Sequence, residues 1–143
     1  MWKRILLLLI SLTLVISLAK IVYGSATAPP LGTHFPQKIT RPSVYFDITI
    51  KGELALDNGC LRVSGVGEHS FLLIWDPRFS TRTEQGIVQV IDSSTGEVLA
   101  SAGDYVATGG GPPTEMGLKE PIPDECPGPY WLVGHTIKKI DKP

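Results

Sequence analysis

Glycine and proline interrupt the chain so often after Ser25 that no stretch of ten residues there has a convincing helical pattern. Between these breaks, apolar and polar side chains alternate, most clearly at Val44, Phe46, Ile48 and Ile50. Alternation with a period of two is the pattern of a half-buried β-strand. The sequence therefore predicts an all-β domain.

The clearest turn signal is Asn58-Gly59, between the run that ends at Leu56 and the run that begins at Cys60. Asn and Gly tolerate positive φ, and this pair between alternating runs predicts a β-hairpin with a two-residue turn. Gly52 interrupts the first run. It predicts a bulge or a sharp bend of the kind found at barrel corners.

Further strands follow at short spacing. Residues 70–76 form an apolar run closed by Pro77, which predicts a central strand buried on both faces. Further strands, separated by turn and loop residues, are predicted at 87–91, 98–102, 105–108 and 130–137. This spacing is typical of a small sandwich or barrel. We expect a single-domain, OB-like or related closed barrel.

The N-terminus has the composition of an export signal. Lys3 and Arg4 precede the uncharged run 5–19, and small residues follow at 24–26. This is the order of a secretory signal peptide. Alternatively, residues 5–23 remain as an anchor, since nineteen residues approach the about 20 that cross a bilayer as a helix. Both interpretations make the rest of the chain extracytoplasmic, either secreted or tethered to the cytoplasmic membrane by its N-terminus.

The chain therefore divides into four parts. Residues 1–24 are a signal peptide or membrane anchor, and 25–42, with four prolines, are predicted to be an extended linker. Residues 43–137 are the β domain, and 138–143 are a charged tail.

Charge and composition exclude some partners. All fourteen Asp and Glu residues but only ten of the thirteen Lys and Arg residues lie from Ser25 onward, so this part has a net charge of −4. Nucleic-acid-binding proteins carry clustered Lys and Arg. We therefore expect no nucleic-acid partner.

The two cysteines, Cys60 and Cys126, both lie in the exported part. An even count in an oxidising compartment predicts one disulfide. Cys126 belongs to the stretch "ECPGPYWLVG", whose prolines and glycines we interpret as the closure of the fold. A functional alternative is that Trp75, Tyr130 and Trp131 form a stacking platform for a saccharide or other flat ligand.

No motif for catalysis is present: the chain has no G-x-S-x-G, H-E-x-x-H or P-loop sequence. The three histidines lack acidic or histidine partners at ligand spacing, so no metal site or cofactor is predicted. If a polar site exists, its residues would be Asp76, Arg78 and Asp104. We expect that the protein is not an enzyme.

Four segments together resemble a known group of proteins: "GELALDNGCLRV", "LLIWDPRF", "STGEVLASAGDYVATGGG" and "ECPGPYWLVG". They are similar, in this order, to elements of exported bacterial proteins that share a small β domain, many of them lipoproteins. The resemblance covers roughly residues 52–134. This chain differs in having Asp76 before Pro77 and in lacking a lipid-attachment cysteine. The resemblance implies an exported β domain and no particular activity.

These observations lead to one functional expectation. The chain should be an exported, non-enzymatic envelope or extracellular domain that binds a ligand, an envelope protein or a saccharide, or has a structural role. The alternatives are a small extracytoplasmic hydrolase or sugar-active enzyme, and the extracytoplasmic part of a membrane complex. The second alternative would use the apolar segment 5–23 as its anchor.

Overall fold

The computed structural model describes residues 32–42 and 46–143, and in these residues the fold is all-β. Eight strands are found in the described part of the chain: β1 (Ile48–Asp57), β2 (Cys60–Val66), β3 (His69–Ile74), β4 (Phe79–Glu84), β5 (Ile87–Asp92), β6 (Val98–Ser101), β7 (Tyr105–Gly111) and β8 (Tyr130–Lys139). The all-β prediction is confirmed.

Five of the strands form one sheet in which each strand has two hydrogen-bonded neighbours. The order is β1-β2-β3-β8-β7, and β7 pairs again with β1. The β3–β8 pair is parallel, and the other four pairs are antiparallel. The hydrogen bonding between neighbouring strands therefore runs from β1 through the other four strands and back to β1.

The second sheet consists of β4, β5 and β6. Along the chain, these strands come between β3 and β7 of the first sheet. Val88, Val90 and Ala100 on its inner face are buried in the same core cluster as Leu54, Val106 and other residues of the first sheet. The two sheets therefore share one hydrophobic core.

The hairpin predicted at Asn58-Gly59 is confirmed. Asn58 has φ 48° and Gly59 has φ 79°, and Asp57 pairs with Cys60 across the turn. Gly52 pairs with β7 and directly precedes Glu53, at which the pairing of β1 with β7 ends and its pairing with β2 begins. A Cβ atom at Gly52 would be 2.2 Å from the carbonyl oxygen of Ser64, so a side chain here would separate the two strands.

The strand predicted at 70–76 is buried on both faces, as expected. Leu73 and Trp75 belong to the main core cluster. Leu72 and Ile74, on the other face, belong to a second cluster that contains both cysteines. Successive side chains from Leu72 to Trp75 therefore point alternately into the disulfide cluster and into the main core cluster.

Two strand assignments differ from the sequence predictions. Strand β4 was not predicted, because only Phe79 of its residues is buried and the rest are polar. Strand β8 continues to Lys139, so the first two residues of the predicted charged tail pair with β7. Backbone hydrogen bonds, which do not depend on side-chain polarity, extend both elements.

The described part of the predicted linker lies in the domain. His34 N donates to the Gly59 carbonyl at 2.7 Å, and Lys38 N donates to the Trp75 carbonyl at 2.9 Å. On the other side, Ile39 N donates to the Gly117 carbonyl at 3.0 Å. Residues 34–39 are thus an extended segment with hydrogen-bonded neighbours on both sides.

Several predictions fall outside the described residues. These are the signal peptide or anchor, residues 25–31 of the linker, and the start of the β domain at 43–45. Of the residues that are described, none belongs to a helix long and apolar enough to cross a bilayer.

Candidate functional site

The segment 112–129, which joins β7 to β8, is held close to the first hairpin by a disulfide. Cys60 and Cys126 are bonded, with 5.7 Å between their Cα atoms, and both side chains are fully buried. The buried Arg62 adds a second tie, since its Nη2 donates to the Pro127 carbonyl. The predicted disulfide is confirmed, and it joins segment 112–129 to the first hairpin.

The extended segment 34–39 lies between the first hairpin and segment 112–129. Phe35 stacks on Trp75, with 4.7 Å between ring centroids and 16° between planes. The side chain of Gln37 donates to the Phe79 carbonyl at 2.7 Å and accepts from Lys119 Nζ at 2.5 Å. Aromatic packing and polar contacts therefore hold this segment in place.

The three aromatic residues predicted as a stacking platform do not come together at the surface. Trp75 is fully buried between Phe35 and Phe79, and Trp131 is 5% exposed in the same core cluster. Tyr130 packs against the disulfide cluster. Neighbouring residues of a strand face opposite sides, so Tyr130 and Trp131 cannot share one exposed surface.

The predicted polar residues separate into two groups. Asp76 is fully buried and accepts from the Arg78 backbone N–H at 2.9 Å. Asp104 instead accepts from Ser101 N at 2.8 Å and forms an ion pair of 2.7 Å with Lys139. Each carboxylate therefore has its own structural partners.

A cavity of about 340 Å³ lies beside the extended segment. This volume is within the range of about 300–1,000 Å³ that holds small molecules. Its lining comes from the N-terminal segment, by which we mean the described residues before β1, from the end of β7 with the residues after it, and from β8. The lining residues are Lys38, Thr40, Arg41, Pro42, Phe46, Gly110, Gly111, Pro112, Thr114, Glu115 and Leu132.

Two glycines of β7 allow the cavity wall to form. A Cβ atom at Gly111 would be 2.6 Å from the ring of Phe46, and one at Gly110 would be 1.9 Å from the Leu132 carbonyl oxygen. Both glycines belong to β7, and their missing side chains admit Phe46 and β8.

The cavity wall contains a buried cation. Lys38 is 7% exposed, and its Nζ donates to the Glu115 backbone carbonyl at 2.6 Å. All fourteen Asp and Glu residues are among the described residues, and none has a carboxylate oxygen within 4.0 Å of Lys38 Nζ. The ammonium group thus has a carbonyl partner and no carboxylate partner.

Arg41 is the second cation of the wall. Its side chain is 70% exposed, and its Nε lies 3.7 Å from Oδ1 of the buried Asp76. Asp76 therefore offsets the charge of Arg41, whereas the charge of Lys38 remains. Sequence reasoning missed both cations, because they occur in a proline-rich stretch without a motif.

In the described part of the chain, no group of three or more His, Cys, Asp or Glu side chains could hold a metal ion. Comparison of the chain with protein-family models, with curated proteins and with solved structures finds no match.

Proposed function

We propose that this chain is an exported, non-enzymatic binding domain with an OB-like barrel, and that it binds a small molecule in the cavity next to Lys38. The ring order supports the barrel assignment. Numbered along the chain, the five strands of the first sheet have the order 1-2-3-5-4, with 3 and 5 parallel. An OB-fold is a five-stranded Greek-key barrel, and this strand order supports the proposal that the first sheet is one.

One observation carries the binding proposal: the cavity of about 340 Å³ has walls that are tied to the core. Lys38 of the N-terminal wall has its backbone bonded to Trp75, and Gly110 and Gly111 belong to β7. A pocket that is formed before the ligand arrives avoids the ordering cost that weakens binding. This favours a ligand-binding role over a purely structural one.

The export proposal has three supports. The N-terminal pattern is that of a signal peptide or anchor. The Cys60–Cys126 disulfide is compatible with an extracytoplasmic location, because such bonds persist in oxidising compartments. The resemblance to exported bacterial β-domain proteins agrees with both.

The cavity lining favours binding over hydrolysis. Among the described lining residues, the ionisable ones are Lys38, Arg41 and Glu115, with no histidine or cysteine. Glycoside hydrolysis uses a carboxylate pair, and nucleophilic catalysis uses a nucleophile beside a base. Among the described lining residues Glu115 is the single carboxylate, and no histidine or cysteine is present, so the enzyme alternative has less support than the binding domain.

The test is native mass spectrometry of the protein recovered from its own membrane and medium fractions. We expect a co-purifying small molecule in the wild type and its loss from Thr114→Trp, which fills the cavity. Glu84→Trp, on the exposed end of β4, is the matched control and should retain the compound. Equal occupancy in all three proteins, or none in the wild type, would contradict the proposal.

The same spectra test export. A mass that matches a chain starting near Ser25 identifies a secreted domain. A mass that matches the full-length chain, found in the membrane fraction, identifies a tethered one. A tethered protein would next be examined for envelope partners, as expected of part of a membrane complex. The cytoplasmic fraction is measured in parallel, and a full-length, reduced protein there would contradict export.

A further inference from the structure

The ammonium group of Lys38 is buried in the cavity wall, and a buried charge without a counter-ion is unfavourable. A lysine ammonium has three N–H donors, and here one carbonyl, that of Glu115, accepts from it. Removing a charge from water is expensive unless a partner of opposite charge replaces the water. Lys38 is 7% exposed and has no such partner in the described chain.

The other charges around the cavity do not supply that partner. The carboxylate of Asp76 lies beside Arg41, at 3.7 Å, and also accepts from the Arg78 backbone. The backbone carbonyl of Glu115 accepts from Lys38. Glu115 itself is exposed, and its carboxylate forms no ion pair with Lys38. Among the described residues, the positive charge of Lys38 therefore has no carboxylate within 4.0 Å.

The rest of the lining offers hydroxyl groups and apolar surface. Thr40 and Thr114 place hydroxyl-bearing residues on the wall, and hydroxyl groups donate to oxyanions. Phe46 and Leu132 supply apolar surface, and Phe46 is 44% exposed. A ligand with a charged end and an apolar body would contact both kinds of surface.

On this basis, and resting on the proposed binding function, we infer that the cavity recognises an oxyanion, carboxylate or phosphate, at Lys38 and an apolar group at Phe46. The oxyanion replaces the missing counter-ion of the ammonium group. Because charge-assisted hydrogen bonds are about twice as strong as neutral ones, Lys38 selects anionic over neutral molecules of the same shape.

The experiment uses isothermal titration of the protein recovered from its membrane or medium fraction with three probes that share a phenyl ring: benzoate, phenyl phosphate and benzamide. We expect at least one anion to bind about tenfold or more tightly than neutral benzamide. The tighter of the two anions identifies the carboxylate or the phosphate source.

Variants test whether Lys38 causes the preference. Lys38→Met, similar in length and uncharged, should remove the preference for the anion and leave benzamide unchanged. Lys38→Arg keeps the charge and should retain the preference, which separates charge loss from misfolding. Lys51→Gln is the control, because Lys51 is an exposed lysine of β1 that lies outside the cavity lining. It should bind all three probes as the wild type does.

The outcomes separate this inference from the proposed function. If benzamide binds as tightly as the anions, or if Lys38→Met keeps the preference, the oxyanion inference is overturned and the cavity function stands. The oxyanion inference alone also fails if neither anion binds while native mass spectrometry still finds a compound that Thr114→Trp excludes. If no compound is found and no probe binds, both proposals fail.

Discussion

The ring of Phe35 lies on the indole of Trp75, with 4.7 Å between centroids and 16° between planes. Phe35 comes from the N-terminal segment, and Trp75 is fully buried in the core next to the end of β3. This contact joins residues 40 positions apart and makes the N-terminal segment part of the folded domain. It also supports Lys38, three residues further along the chain.

Replacing Phe35 by alanine should therefore destabilise the domain. Core Phe→Ala changes cost about 3–5 kcal/mol, and since Phe35 is half-buried we expect about 2–3 kcal/mol. Urea unfolding followed by tryptophan fluorescence measures the loss. Ile39→Ala is the control, because Ile39 is 60% exposed and should change stability by about 0.5 kcal/mol or less. Equal stability of the two variants would show that the segment is not docked.

Removing the disulfide should have a larger effect. Cys60 and Cys126 are 66 residues apart, and the chain-entropy estimate for a closed loop of this length is about 4 kcal/mol. We expect a double Cys→Ala variant to lose about 2–5 kcal/mol in denaturant unfolding. Reductant should lower the wild-type midpoint and leave the variant unchanged. A wild-type midpoint that does not respond to reductant would contradict the predicted role.

Gly52 should tolerate no side chain. A Cβ atom there would be 2.2 Å from the backbone carbonyl oxygen of Ser64, and backbone cannot rotate away as a side chain can. We expect Gly52→Ala to cost about 2–3 kcal/mol, as overpacking does. Gly117→Ala is the matched control, since its nearest neighbour would be Lys38 Nζ at 3.9 Å. Its thermal midpoint should stay near that of the wild type; similar losses at both glycines would refute the steric explanation.

Asp92 should make stability depend on pH in the acid range. The hydrogen bond from the Ser94 hydroxyl, followed by the bond from its backbone N–H, holds the pKa of the Asp92 carboxyl below its ordinary value of 3.8. A lowered folded-state pKa stabilises the fold above the unfolded pKa, and this contribution is lost as pH falls through the folded value. Asp92→Asn should therefore be less stable than the wild type at pH 7.

The difference between these two proteins should shrink as pH falls below 3.8, measured as thermal midpoints from pH 7 to pH 2. Ser94→Ala removes the hydrogen bond that lowers the pKa of Asp92 most. In a protein that carries this change, Asp92→Asn should therefore lower the thermal midpoint at pH 7 by less than it does in the wild type. A difference that is constant over this range would rule out ionisation of Asp92 as its source.

Local sequence patterns were sufficient for several features of the fold. The turn at Asn58-Gly59 depends on residues that tolerate positive φ, and the strand at 70–76 depends on a short apolar run. The pairing of Cys60 with Cys126 follows from there being two cysteines. Such features depend on the backbone preferences or the number of a few residues, so they can be predicted without knowing what lies nearby.

The candidate site could not be predicted in this way. Lys38 lies in a stretch whose prolines suggested a linker, and its burial results from contacts with Trp75 and Glu115, which are distant in sequence. Likewise, Trp75 and Trp131 looked suitable for an exposed platform, yet the packing of the two sheets buries both. Composition and spacing thus predicted the strands other than β4, the hairpin and the disulfide, because these depend on local conformation or residue count. Burial and the charge of the cavity arose from long-range packing, which brings together residues that no local pattern connects.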